Sequence, residues 1–260
     1  MPSDEPPTPT TELAYLPDIA SAYVRTFRSR ITARPPGAVV LERTYFYPAG
    51  GGQPGDRGTL RLADGAEVRV VDVAKSGLVV VHRIKTTSTG PRLDLGVEVE
   101  GTIDWPRRHQ HMRLHTAQHL LSAHLFATSH LRTRAARLGG DRATIDLEGP
   151  LPGADVSALA RAFQEAVEHP RTVSIRFVPR AEWDRNPAAA RSGLVPLPPQ
   201  VDPVRVVEIA GADVCPCGGT HLGTTAEIGA VEVEPLAPLA DGASQVAFRL
   251  RDGSASSPSA

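Results

Sequence analysis

Two pairs of metal-binding residue types, about a hundred positions apart, place the tightest demand on how this chain can fold. His115 and His119 lie in "DWPRRHQHMRLHTAQHLLSAHLFA", a run without glycine. Asp104 is a good N-cap for a helix there, and Pro106 falls in the first turn, where a missing N–H costs nothing. Positions i and i+4 share one helix face, so both imidazoles can reach one metal. Cys217 and His221 stand in "DVCPCGGTH", which holds both cysteines of the chain. Gly218 and Gly219 let the backbone between them turn tightly enough to bring both donors to one point. If the pairs converge, the fold must carry the helix to the "CGGTH" turn. The resulting set of three imidazoles and one thiolate suits zinc best, at one ion per chain.

Either pair alone is more often a solvated or core-satisfied feature than a ligand pair. Their joint occurrence, with the glycines and no other cysteines, favours the metal. A Cys215–Cys217 disulfide would close a strained ring. A metalloprotease of the zincin type would need a glutamate after the first histidine. Thr116 and Gln118 flank the ligands instead, so that class is set aside. His111 lies one turn before His115 and is a spare ligand. His111 and His124 otherwise read as supporting or surface groups. Cys215 is a substitute ligand, disfavoured because Pro216 restricts the path between the sulfurs.

The chain has 260 residues, enough to bury a sizeable core, and its 41% apolar content is that of a soluble globular protein. A net charge of −1 does not announce a nucleic-acid partner, so any basic surface must be local. No apolar stretch approaches membrane-spanning length, and the acidic, proline-rich start has no signal-peptide pattern. Cysteine poverty agrees with a cytoplasmic location. Residues 1–12 and 251–260 read as disordered tails. From 13 to 102 the chain reads as a β-rich domain, with runs such as "AVVLERTYFY", "EVRVVDVA" and "GLVVVHRI". The glycine loop "PAGGGQPGDRG" separates the first two. From 103 to 250 the reading is mixed α and β, with an amphipathic helix in "DVSALARAFQEAVEHP" and strands in "ATIDLEG", "TVSIRFVP", "VRVVEIA", "AEIGAVEVEPLA" and "SQVAFRL".

Three segments, "FYPAGGGQPGDRG", "DWPRRHQHMRLHTAQHLL" and "VRVVEIAGADVCPCGGTHLGTTAEIG", closely resemble the alanyl-tRNA editing proteins called AlaX and the editing domain of alanyl-tRNA synthetase. The resemblance covers roughly residues 13–250. It implies an α+β protein, with an N-terminal β-barrel-like domain carrying the glycine motif. A C-terminal α+β editing domain, its sheet flanked by helices, would follow. The family's zinc positions fall on His115, His119, Cys217 and His221. The implied activity is hydrolysis of the ester in mischarged tRNA(Ala), chiefly with serine and sometimes glycine, acting in trans. A pocket built for alanine excludes neither amino acid strongly, so a second hydrolytic site is needed. Thr133 is implied as a reader of the substrate side chain in the catalytic pocket, with Gln118 second; a surface hydroxyl is the alternative for Thr133.

For tRNA contact, Arg107 and Arg108 at the helix start and Arg132, Arg134 and Arg137 in "RTRAAR" offer forks for phosphate, or else are ordinary surface charge. Gly50, Gly51 and Gly52 permit close approach of a backbone or of the acceptor end, and Gln53 can hydrogen-bond there. A hinge or tight turn is the alternative for this loop. The zinc would organise the site and activate water, with the terminal ribose hydroxyl or a nearby side chain helping to move the proton. A rival of another class is a zinc-stabilised RNA-binding module without catalysis. A second is a zinc-dependent hydrolase of a small ester or amide.

Overall fold

The computed structural model describes residues 10–85, 92–151, 156–189, 197–234 and 237–251. The chain divides into two compact units: Met1–Gly50 with Pro54–Arg108, and Gly51–Gln53 with His109–Ala260.

The first unit contains β1 (Glu12–Leu13), α1 (Ile19–Ala22), β2 (Thr26–Ala33), β3 (Ala38–Leu41), β4 (Arg43–Thr44), β5 (Gly58–Arg61), β6 (Glu67–Ser76), β7 (Val79–Ile84) and β8 (Glu98–Ile103). Six of these close a barrel in the order β2-β3-β7-β6-β5-β8. Every pairing in it is antiparallel. The β-barrel that the resemblance implies is thus present. Alternation builds it: along β2, Phe27, Ser29 and Ile31 are buried while their neighbours face out. Phe27, Ile31, Leu41, Phe46, Leu60, Val73, Val80 and Val99 fill the interior. His82 is buried among them, 2.9 Å from Thr44 Oγ1. Burial lowers its pKa to about 4, so the ring is neutral.

Residues 10–12, read from sequence as tail, are not tail. Thr11 is buried, its hydroxyl donates to Leu41 O at 2.9 Å, and Glu12 begins β1. At the other end Arg251 belongs to a strand, paired with Ala230, and is not tail either; residues 1–9 and 252–260 of the expected tails lie outside the described residues.

The long helix α2 (Trp105–Ser129) starts in the first unit and runs on into the second. Arg107 N donates to Asp104 Oδ1 at 3.3 Å, the contact expected of an N-cap. Its centre is buried all round, from Leu114 through Ala123. The central polar residues His115, Thr116, Gln118, His119 and Ser122 are tolerated because each finds a hydrogen-bond partner.

The second unit adds β9 (Thr133–Leu138), β10 (Arg142–Leu147), α3 (Val156–Glu168), β11 (Val173–Val178), α4 (Arg180–Trp183), β12 (Val204–Ile209), β13 (Asp213–Pro216), β14 (Ala230–Val233), β15 (Ala237–Pro238) and β16 (Ser244–Arg251). One sheet runs β14-β16-β10-β9, with β15 also on β16, and a second runs β11-β12-β13. The amphipathic face of α3 turns Phe163 inward, edge-on to Phe248 of β16 at 5.6 Å. "AEIGAVEVEPLA" does not begin as a strand. Thr225–Ile228 forms a 3-10 turn, because the Thr224 hydroxyl caps it by accepting from Ala226 N.

Candidate metal centre

The second unit brings His115, His119, Cys217 and His221 together, their donor atoms all within 4.8 Å of one another. Cys217 Sγ lies 3.5 Å from His115 Nε2 and 3.3 Å from His221 Nε2. Zinc-type bonds of about 2.3 Å to sulfur and 2.0–2.1 Å to nitrogen, at a tetrahedral angle, put the two donors about 3.5 Å apart. The set therefore fits a small divalent ion with a taste for nitrogen and sulfur. The helix contributes two of the donors, and β13 delivers Cys217 and His221 through the "CGGTH" turn.

Each imidazole is tethered at Nδ1, the nitrogen away from the cluster. His115 Nδ1 lies 2.8 Å from Gln53 Oε1, His119 Nδ1 2.9 Å from Asp213 Oδ2, and His221 Nδ1 3.3 Å from Thr116 Oγ1. Such partners select the tautomer and leave Nε2 as the donor. The Gln53 amide is oriented by its own bonds. Its Nε2 donates to Thr220 Oγ1 at 2.9 Å, and its Oε1 accepts from Thr220 N at 3.3 Å. Thr116 Oγ1 in turn accepts from Leu222 N. Two glycines make room. A Cβ on Gly219 would lie 2.2 Å from the His115 ring, and one on Gly52 would lie 2.1 Å from the Ala136 carbonyl.

The electrostatics of the cluster suit a cation. Burial opposes charge on His119, but the Asp213 carboxylate and the Cys217 sulfur outweigh it and raise its pKa to about 9. Burial would also raise the Cys217 thiol, yet His115 and His221 beside it hold it well below its usual value. Burial and then the His115 charge push His221 down to about 3. A thiolate and a proton-bearing imidazole thus sit where an ion would exchange for the proton.

Other residues marked in the sequence fall in different places. Ser122 Oγ accepts from Gln118 Nε2 at 2.9 Å and from Thr133 Oγ1 at 2.8 Å. Gln118 and Ser122 follow His115 by three and seven positions, which keeps them on the ligand-bearing face of α2. Gln53 was expected to face a ligand at the acceptor end. It is buried instead, its amide consumed by His115 and Thr220. Gly50 O accepts from the Tyr47 hydroxyl. Gly51 is exposed, with φ +55°. Gly52, with φ +82°, makes its close approach to this chain's own β9, accepting from Leu138 N at 2.8 Å.

Arg108 is not a phosphate contact. It is fully buried and ion-paired with the equally buried Asp56, and it also donates to Ala22 O and Tyr45 O. Removing so many hydrogen bonds from a buried guanidinium would cost several kcal/mol, about 3–5 for such a pair broken on one side. Arg107 is half-buried and donates to Gly55 O. The "RTRAAR" arginines are neutralised at home: Arg132 by Glu148, Arg134 by Asp241 and Arg137 by Asp146. His111 is buried and His124 half-buried, both outside the four-residue cluster. Cys215 lies outside the four-residue cluster, in a group with Asp213 that overlaps it at His119.

Asp213, Thr116, Thr220 and Ser122 were not marked in the sequence. One signal pointed to Asp213: Asp213, Cys215 and Cys217 alternate, as same-face residues of a strand do.

Residues 17–107 match the family described as tRNA synthetases class II (A), and residues 204–246 match the threonyl and alanyl tRNA synthetase second additional domain. The alanine–tRNA ligase of Pyrobaculum neutrophilum is 36% identical over 92% of this chain, which spans only 27% of that ligase. The alanyl-tRNA editing protein AlaX-M of Methanosarcina mazei is 33% identical over 87% of this chain and 91% of its own length. Its counterpart in Methanosarcina acetivorans is 34% identical over 87% of this chain and 93% of its own. The chain belongs to the AlaX-M alanyl-tRNA editing proteins. Among the described residues, no helix is long and apolar enough to cross a membrane.

Proposed function

We propose that this chain is a zinc-dependent aminoacyl-tRNA deacylase that hydrolyses mischarged tRNA(Ala), chiefly the seryl ester and also the glycyl one, acting in trans. The observation that carries the reading is the His115, His119, Cys217 and His221 cluster with every histidine tethered at Nδ1. Zinc, when bound, supplies positive charge that can orient the amino acid and lower the pKa of water. Hydrolysis adds water across the ester: a bond from water oxygen to the carbonyl carbon forms, the bond to the ribose oxygen breaks, and that oxygen takes a proton.

The chain's own residues supply positioning and discrimination. Gln53, Asp213 and Thr116 hold the ligand rings. The Gln118–Ser122–Thr133 chain lies along the ligand-bearing face of α2. Because Thr133 donates its proton to Ser122, its oxygen is left able to accept from a serine hydroxyl. A site that pairs with a hydroxyl disfavours analogues lacking one, which spares the alanyl ester and ranks the glycyl ester below the seryl one.

The test is deacylation of Ser-tRNA(Ala) and Ala-tRNA(Ala) by the purified chain and by Thr133→Val. Losing one neutral hydrogen bond should lower the serine-to-alanine rate ratio by up to about tenfold, at unchanged zinc content. An unchanged ratio removes Thr133 as the reader. A wild-type chain that binds tRNA and hydrolyses neither ester would instead support a zinc-stabilised RNA-binding module.

A further inference from the structure

The barrel carries a basic cleft that the metal centre does not use. A cavity of about 600 Å³ opens on its outer wall, lined by Arg57, Thr59, Arg69, Lys85, Thr102 and Asp104 among others. The register explains how they meet. Thr59 of β5 pairs with Arg69 of β6 on one side and with Thr102 of β8 on the other. Lys85 continues the row by donating its backbone N–H to Arg69 O at 2.9 Å. Neighbouring strands lie about 4.8 Å apart, so the row presents two cations and two hydroxyls in file. Arg57 stands two positions before Thr59, on the same face.

These cations differ from most of the chain's arginines. Arg28, Arg34, Arg61 and Arg83, also in the first unit, each face a carboxylate. Among the described residues, Arg57, Arg69 and Lys85 have no ion pair and no side-chain hydrogen bond. All three are exposed. Asp104 is the single carboxylate lining the cavity, and its Oδ1 already accepts from Arg107 N. Leaving like charges adjacent and unpaired is unfavourable for the free protein, and an anion would relieve it.

We infer that this cleft holds phosphates of an RNA backbone, Arg57, Arg69 and Lys85 supplying charge and Thr59 and Thr102 hydroxyl donors. That the RNA is tRNA(Ala) rests on the functional reading above; the phosphate chemistry does not. Guanidinium forks and hydroxyls lining an open trough suit a run of phosphates.

The experiment measures binding of the full chain to uncharged tRNA(Ala) transcript by fluorescence anisotropy between 50 and 200 mM salt. Each neutralised duplex phosphate contributes about −0.9 to the slope of log affinity against log salt. The triple variant Arg57→Gln, Arg69→Gln, Lys85→Gln should make the slope shallower by up to about 2.7, which shrinks the loss of affinity across that range by roughly 40-fold. The charge-keeping variant Arg57→Lys, Arg69→Lys should retain the slope. A control with Arg28, Arg34 and Arg61 changed to glutamine removes the same charge from paired sites and should move the slope far less. Equal slopes for the two triple variants, or an unchanged slope in the cleft variant, overturn the proposal. Deacylation by the unaltered chain separates the two readings. With the slope change present and no deacylation, the cleft stands and the editing function falls. With deacylation present and no slope change, the cleft alone falls.

Discussion

Gln53 reaches the metal centre from a glycine loop 62 positions before His115, and replacing it tests the whole reading of the site. His115 Nε2 faces the Cys217 sulfur, so the ring's proton belongs on Nδ1, where Gln53 Oε1 accepts it at 2.8 Å. Gln53→Leu keeps the bulk and removes that acceptor. Nδ1–H is then left buried and unpaired, at a cost of about 1–3 kcal/mol unless the ring turns or changes tautomer. Either escape spends the Nε2 donor. Outer partners of metal-bound histidines are worth about 10–100-fold in affinity, or roughly 1.4–2.7 kcal/mol, which agrees with the hydrogen-bond figure. Gln53→Glu keeps an acceptor for Nδ1–H and can also accept from the Thr220 hydroxyl and N–H. Its added negative charge favours a cation. Zinc affinity is measured by competition with a chromogenic chelator, with circular dichroism checking the fold. The expected order is Glu at or above wild type, and Leu 10–100-fold weaker. Equal affinity for Leu and wild type, or Glu falling with Leu, would refute the reasoning.

Three further outcomes follow from the same geometry. Cys217→Ala should weaken zinc binding by more than the about 100-fold of an outer partner, and Cys215→Ala should leave it within a few-fold, because only Cys217 closes the four-donor set; equal losses in elemental analysis would reject that assignment. Gly52→Ala should cost at least about 1–3 kcal/mol in thermal unfolding and lower zinc affinity too, since φ +82° strains any Cβ and this one would meet Ala136 O at 2.1 Å; a variant matching wild type in both would show that the loop does not hold Gln53. The barrel should lose stability in acid through His82. Its folded pKa, about 4, lies below the ordinary 6.5, so the unfolded chain takes up the proton first, and stability present above pH 6.5 declines as pH falls toward 4, by roughly 3 kcal/mol in all. His82→Gln should flatten that decline; denaturant unfolding at pH 7 and pH 4.5 that gives the same slope with pH for both proteins would rule it out.

Local rules were sufficient for much of this protein. Helical spacing assigns His115 and His119 to one face, the glycines of "CGGTH" mark the turn between Cys217 and His221, and β-branched runs mark β3, β6, β7, β11, β12 and β16. Each depends on residues a few positions apart, whose relation is set by backbone geometry alone. Strands with mixed or charged sequences were less legible: "TFRSRITA" became β2 and "TRAARL" became β9, because pairing with neighbouring strands overrides a weak local pattern.

Only the tertiary structure decided which polar groups serve which others. Arg108 looked like a surface cation until Asp56, 52 positions away, was found buried beside it. Gln53 looked like a ligand contact until His115 and Thr220 took up its amide. "RTRAAR" reads as a basic patch, yet Glu148, Asp241 and Asp146 neutralise it, while Arg57, Arg69 and Lys85, scattered in sequence, gather on the barrel wall without an ion pair among the described residues. The physical reason is common to all of these. A buried or clustered charge must find its partner through space, and the energy of that pairing depends on distance and burial, which neighbouring positions in a sequence do not contain.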